Sequence, residues 1–400
     1  MGNLSFSIYA FIPFLTLLQG FIFAILLILR GRREERYSDN WLAFVLFMLA
    51  VNGIPYMLGW VGITYLWEKL TYLPWDGFWL VIPPATYLFL KSLTNDTWRF
   101  STRRDLWHFW AYGLYFIEHL IVGIWALYDK SILDKWGQTT AFVFYGWLMD
   151  WGTELYYFFL CFRLYKEYRE WTVNEFSDAE RVSFKWVRNY LIVKVALTLV
   201  AIANSIYVKL SPTHGENYYA LMWCGYLMDT ILMYYLSISG YSQTRVRSVR
   251  FVENFVDNSF EAVNTANTEG VSDNTSEEFK NKNTLSESDL NAWKTKVLSI
   301  FDTKKPYLNP DLTLSDLADS LKTNTSILSQ VINTGFSKNF NDFVNEYRVK
   351  DFKDKIATPQ YQHLTLLAIA FECGFNSKST FNRAVKKATN QMPSELFKER

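Results

Sequence analysis

Cysteine is scarce, with only Cys161, Cys224 and Cys373 in 400 residues. Their placement suggests neither a disulfide framework nor a metal-binding spacing, so the C-terminal half is expected in a reducing compartment. No nucleophile–base pair, phosphate-binding glycine loop or HExxH motif stands out, which argues against an enzyme. Tryptophan is nearly missing from the second half: of sixteen, only Trp293 lies beyond Trp223. Charge is missing altogether from residues 4–29, LSFSIYAFIPFLTLLQGFIFAILLIL. The net charge of +1 therefore averages two unlike halves.

What the first half has is apolar length. About 20 helical residues cross the ~30 Å hydrocarbon layer of a membrane. Seven stretches are candidates: 5–29, 41–63, 78–94, 106–128, 142–164, 189–209 and 218–240. The third carries Pro83 and Pro84 and spans only if Lys91 snorkels to the interface. With the N-terminus outside, fifteen basic residues fall on the inner side, among them Arg30, Arg32, Arg33, Arg36, Arg169 and Arg250. Only Lys69, Lys130 and Lys135 fall outside, the asymmetry expected of an inward-facing basic side. The first stretch is not read as a cleavable signal, because RGRREER follows it and no basic region precedes it. Soluble core helices are the alternative.

Several polar groups lie inside these stretches, where ionisable side chains are costly unless paired or functional. They are Glu118, His119, Asp150, Glu154, Lys194, Asn204 and Asp229. Asp150 and Glu154 share a helix face, and Asp229 sits mid-span. Lys194 lies near a span end and is expected to snorkel. Glu118, Asp150, Glu154 and Asp229 are the candidate ligand-binding residues, with Trp147, Trp151, Tyr156 and Tyr157 as candidate walls. Two other readings remain open: hydrogen bonds that only hold helices together, and a metal site at His119 with these carboxylates. No cofactor is implied.

Residues 251–290 carry nine acidic residues against Lys280 and Lys282, with few large apolar groups. Residues 244–288 are therefore read as a flexible acidic tether, whose opening SVRFVENFVDNSF is compatible with a short amphipathic extension of the seventh span. Helical periodicity resumes near Asp289 with Leu290, Trp293, Val297 and Ile300. Two helix-turn-helix units follow, 313–334 and 365–388. In the first, Thr313 with Asp316 forms a capping pair, and Leu314, Leu317, Ala318 and Leu321 make one apolar face. Asn324 or Thr325 starts the second helix, which shows Ser326, Ser329 and Gln330 outward. In the second unit Leu366, Ile369, Ala370 and Cys373 face inward, and Gly374 ends the helix in a left-handed cap. Asn376 or Ser377 starts the next helix. Phe381, Ala384 and Val385 are its back; Lys378, Ser379, Asn382, Arg383 and Lys386, followed by Lys387, are its front. A helix laid in a major groove requires that division.

Residues 306–398, about a quarter of the chain, resemble the DNA-binding domain of the AraC/XylS family of bacterial transcription regulators. LTLSDLADSL, LSQVIN, NFNDFVNEYRV and above all IAFECGFNSKSTFNRAVKKATNQMP carry the resemblance. It departs at Val385, usually aromatic, at Asn390, usually glycine, and at Phe397-Lys398, usually tyrosine-arginine. The resemblance implies seven helices, with a long one containing Phe343, Tyr347 and Arg348 joining the two units. It places base contacts at Ser326, Ser329 and Gln330 and at Ser379, Asn382 and Arg383.

The expected fold is all-α. A seven-helix transmembrane bundle occupies 1–243, and a cytoplasmic double helix-turn-helix domain occupies 289–400. The expected function is a one-component transcription regulator of a bacterial inner membrane. Its expected partners are promoter DNA, the lipid bilayer, a second copy of the chain on DNA, RNA polymerase, and an unidentified small-molecule or envelope signal. Two other classes stay open: a membrane enzyme or transporter carrying a DNA-binding reporter, and a helical protein-interaction module.

Overall fold

The structure is a computed structural model. It describes residues 10–61, 74–126, 128–129, 140–210, 216–243, 251 and 285–396. These residues are almost entirely helical and form two units. One comprises Met1–Lys166 with Lys185–Val252; the other comprises Glu167–Phe184 with Glu253–Arg400.

In the first unit α1 (Phe11–Arg33), α2 (Tyr37–Asn52) and α3 (Ile54–Val61) precede α4 (Ile82–Thr94), α5 (Thr102–Asp105) and α6 (Trp110–Ala126). Then come α7 (Thr140–Glu175, which runs on into the second unit), α8 (Lys185–Leu210) and α9 (Glu216–Ser242). Helix α1 packs on α2 and α9, and α2 on α4. Gly20 permits the close approach: a Cβ there would stand 2.5 Å from the Met233 Cε and 2.6 Å from the Ala50 Cβ. Between the helices Gln19 donates to the Ser237 hydroxyl at 2.7 Å, and the Thr16 and Thr230 hydroxyls meet at 2.7 Å. Arg30 grips Asp39 at 2.7 and 2.8 Å and donates to the carbonyls of Gly240 and Tyr241 at the end of α9. Small residues and interhelical hydrogen bonds are how helices associate when their surroundings are as apolar as their side chains.

Among the described residues, two helices are both long and apolar enough to cross a membrane, Phe11–Arg33 and Lys185–Tyr207, against seven expected. The other stretches fall short for local reasons. The second breaks at Gly53 into helices of 16 and 8 residues. The third is a 3-10 segment, Pro74–Leu80, followed by the 13 residues of α4, with Pro83 tolerated in its first turn. The described part of α6 has 17 residues, and a 3-10 turn, Leu106–Phe109, precedes it. Helices α7 and α9 have ample length, 36 and 27 residues, but carboxylates and many Tyr and Trp side chains dilute their apolar character.

The second unit contains α10 (Glu287–Thr303), α11 (Leu314–Ser320), α12 (Thr325–Gln330), α13 (Phe340–Ala357), α14 (Leu366–Glu372), α15 (Lys378–Thr389) and α16 (Pro393–Leu396). Six of these seven α-helices lie within residues 306–398, where the resemblance implies seven; α10 precedes that range. Cap chemistry sets their starts. The Thr313 hydroxyl accepts from the Asp316 N–H while Asp316 accepts from the Thr313 N–H, and Asn324 and Ser377 cap α12 and α15. Such caps are each worth about 1 kcal/mol. The chain turns after α14 through Gly374 at φ +89°, where a Cβ would lie 2.3 Å from the Tyr307 carbonyl oxygen. Asn390 takes the left-handed position after α15, at φ 56°. Two cores result, and α13 serves both. Phe343 and Val344 join Phe301, Leu317, Leu328 and Val331 in one; Val349 and Phe352 join Ile369, Phe375, Phe381 and Val385 in the other. The expected tether and the extension of the seventh span lie outside the described residues, apart from Phe251 and residues 285–288.

The segment after α7 completes this unit. Phe176 bridges Thr313 in antiparallel fashion, and the Ser177 N–H donates to the Leu312 carbonyl at 3.1 Å. Asn341 donates to the Ser177 carbonyl at 2.7 Å. Arg348, fully buried in α13, donates to the carbonyls of Tyr307 and Asn309, both at 2.8 Å, and to the Ser177 hydroxyl at 3.1 Å. Burial pushes its guanidinium down to about 10, so it remains charged at neutral pH.

Candidate nucleic-acid interface

The second helix of each helix-turn-helix unit presents its front as its periodicity requires. On α12 the apolar Leu328 is buried, Ser326 is exposed, and Ser329 and Gln330 are half-buried. The Ser329 hydroxyl accepts from the Asn333 amide at 3.2 Å. On α15, Phe381 and Val385 are buried at 2% and 0% exposure. Lys378, Ser379, Arg383, Lys386 and Lys387 are exposed on the other side, with Asn382 half-buried between them. The helix thus offers three lysines, an arginine, an amide and a hydroxyl to one partner surface. These groups recognise phosphates and base edges.

Two of the front residues already have acidic partners. Lys387 pairs with Asp342 of α13 at 2.6 Å. Arg383 pairs with Glu180, whose carboxylate also lies 3.8 Å from Arg169. Thr380, at the start of α15, is 1% exposed and donates to Asp178 at 3.0 Å. Sequence reasoning missed Asp178, Glu180 and Thr380. The one available signal was the pair of acids in SDAER, close to the basic Arg181, Lys185 and Arg188.

The first unit holds a polar cavity of about 150 Å³ between its helices, lined in part by Asp150, Glu154, Lys194 and Asp229. Three of the four candidate ligand residues therefore meet there. Glu118, on α6, is not among the residues lining it. Lys194 does not reach outward as expected: its ammonium lies 3.4 Å from Glu154 and 3.2 Å from Asp229. An ammonium flanked by two carboxylates is held far more strongly at low dielectric than in water. Thr198 donates to Glu154 at 3.0 Å. The expected aromatic walls also differ. Tyr156 is exposed, and Tyr157 turns to the His108 carbonyl at 2.9 Å, while Trp79, Pro83 and Tyr226 line the cavity. The side chain of Trp147 lies outside the described residues. His119 stacks on Tyr115, ring centroids 3.8 Å apart, and is not among the cavity-lining residues.

Residues 317–399 match a protein-family model described as a helix-turn-helix domain. No curated protein and no solved structure matches the chain. The matched stretch contains both of the reading helices α12 and α15 and the helix α13 between them. This match supports an AraC-type helix-turn-helix DNA-binding domain at the C-terminus, and with it a DNA-binding transcription regulator.

Proposed function

We propose that the protein is a membrane-embedded one-component regulator, in which a polar cavity of the first unit senses a signal and the second unit reads promoter DNA as a homodimer. The DNA-reading half rests on one observation: the front of α15, where Arg383 and three lysines share a face with Ser379 and Asn382. Arg383→Ala is expected to cost about 1–3 kcal/mol on its preferred duplex and to relax preference at one base pair. Lys387→Ala is expected to weaken all sequences alike and to flatten the salt dependence of binding. Equal losses on specific and random DNA for Arg383→Ala would reduce it to a phosphate contact.

The membrane half rests on what covers the first unit. Exposed large hydrophobic side chains follow one another along α1, α6 and α8, among them Ile25, Leu29, Ile117, Leu120, Ile121 and Val200. Contiguous apolar surface of this extent is rare on a protein in water. A multi-pass arrangement in a bacterial inner membrane, with α1 and α8 as its long apolar helices, is the form we favour, supported by the basic asymmetry along the chain. A reporter active only in the cytoplasm should work after Arg250 and one active only outside should work after Tyr65; the opposite pattern would refute the arrangement. Asp150, Glu154 and Asp229 are the residues proposed to meet the signal, with Lys194 as their counter-charge. Asp229→Asn should shift target-gene expression while leaving DNA affinity intact, and a normal response would make the cluster scaffold only.

A further inference from the structure

Glu180 is the wrong charge for a surface that meets DNA, yet it sits on the arginine of α15. We propose that Glu180 is an intramolecular occupant of the DNA-reading surface, a carboxylate that takes the place of the duplex on Arg383 and must let go before that arginine meets DNA. The inference rests on the reading of α15 as a DNA-reading helix.

The contacts are selective. Residues near the N-terminus of a reading helix are those that reach base edges. On α15 these are Lys378 to Arg383, and among them Glu180 takes Arg383, whereas Asp178 accepts from the buried Thr380 behind the front at 3.0 Å. A carboxylate there removes the guanidinium from use and repels the phosphates on either side of the groove. Arg181 adds a contact beside the turn, reaching Asp311 at 3.0 Å, and Asp311 in turn lies 3.3 Å from the Asn376 amide just before α15.

The backbone around Glu180 is built to stay, and the side-chain pair is the part able to open. Phe176 and Ser177 are fastened by a backbone bridge, by Asn341 and by the buried Arg348. Asp178, Ala179, Val182 and Ser183 are buried, and the Val182 carbonyl accepts from the Tyr168 hydroxyl at 2.6 Å. The Arg383 side chain is 47% exposed, and a half-open ion pair is worth little. A duplex offering several phosphates and base edges can outcompete it. The occupant therefore sets a threshold for DNA binding without abolishing it.

The test uses full-length protein in detergent and a duplex enriched from a random pool on that protein. Glu180→Gln is expected to tighten binding by about two- to fivefold. In an Arg383→Ala background Glu180→Gln should have no effect, since the cycle isolates the pairwise contribution. Unchanged or weaker binding by Glu180→Gln would overturn the inference alone. Failure of every form to bind any duplex would overturn the DNA-reading function and the inference with it.

Discussion

In the first unit Gln19, Asp39, Thr230 and Ser237 are buried while Leu120, Ile121, Leu199 and Val200 are exposed. In the second unit Phe301, Phe343, Phe352 and Phe381 are buried while Lys378, Arg383 and Lys387 are exposed. Among the described residues, every exposed large hydrophobic side chain belongs to the first unit except Leu298, Leu308, Phe371 and Met392. Both units are helical, so backbone preference does not separate them. The surroundings proposed for each would. In water, burial of apolar surface at roughly 25 cal/mol per Å² drives helices together. In the lipid proposed for the first unit, polar contacts such as Gln19 to Ser237 and close approach at Gly20 would hold the helices instead.

That contrast can be broken experimentally. The largest effect is expected at Arg348. Arg348→Met leaves the buried Tyr307 carbonyl without its donor and cuts the ties to Asn309 and Ser177, and should cost about 3–5 kcal/mol of second-unit stability. Loss of amide protection along α13, with α1 and α2 unchanged, is the expected signature. Next come two matched substitutions. Leu120 and Phe371 are 51% and 49% exposed, one in each unit. Leu120→Arg should cost about 2.5–3.5 kcal/mol in a membrane-insertion assay, whereas Phe371→Arg should change unfolding by about 0.5 kcal/mol or less. Similar costs at the two sites would show that both units face the same solvent. Gly374→Ala comes third, at about 1–3 kcal/mol from backbone strain and further cost from the Tyr307 oxygen, read from the urea midpoint of the second unit. The smallest is Thr313→Ala, about 0.5–2 kcal/mol through the lost capping box.

Much of the second unit was legible because its signals are local. Thr313 and Asp316 are three apart, Gly374 ends its own helix, and the spacing of Phe381 and Val385 fixes which side of α15 faces out. Even the substitution of Asn390 for glycine could be understood from its tolerance of left-handed backbone, which the structure places at φ 56°. The candidate ligand cluster was half legible. Cost alone singles out Asp150, Glu154 and Asp229, but only packing reveals that Lys194 lies between two of them. The segment 176–184 was not legible at all. Asn341 and Ser177 are 164 positions apart, and Arg383 and Glu180 are 203 apart. No periodicity links such positions, and the apparent boundary between an apolar half and a soluble half runs elsewhere.

The Ser177–Arg348 contact has a genetic consequence. Because one buried guanidinium ties the segment to the backbone at Tyr307, beside Gly374, most substitutions at that junction would be expected to abolish the regulator outright. Alleles that leave it permanently active should instead map just downstream, at Glu180. A screen for gain of function would thus point to a short stretch some two hundred codons upstream of the helix whose freedom it alters.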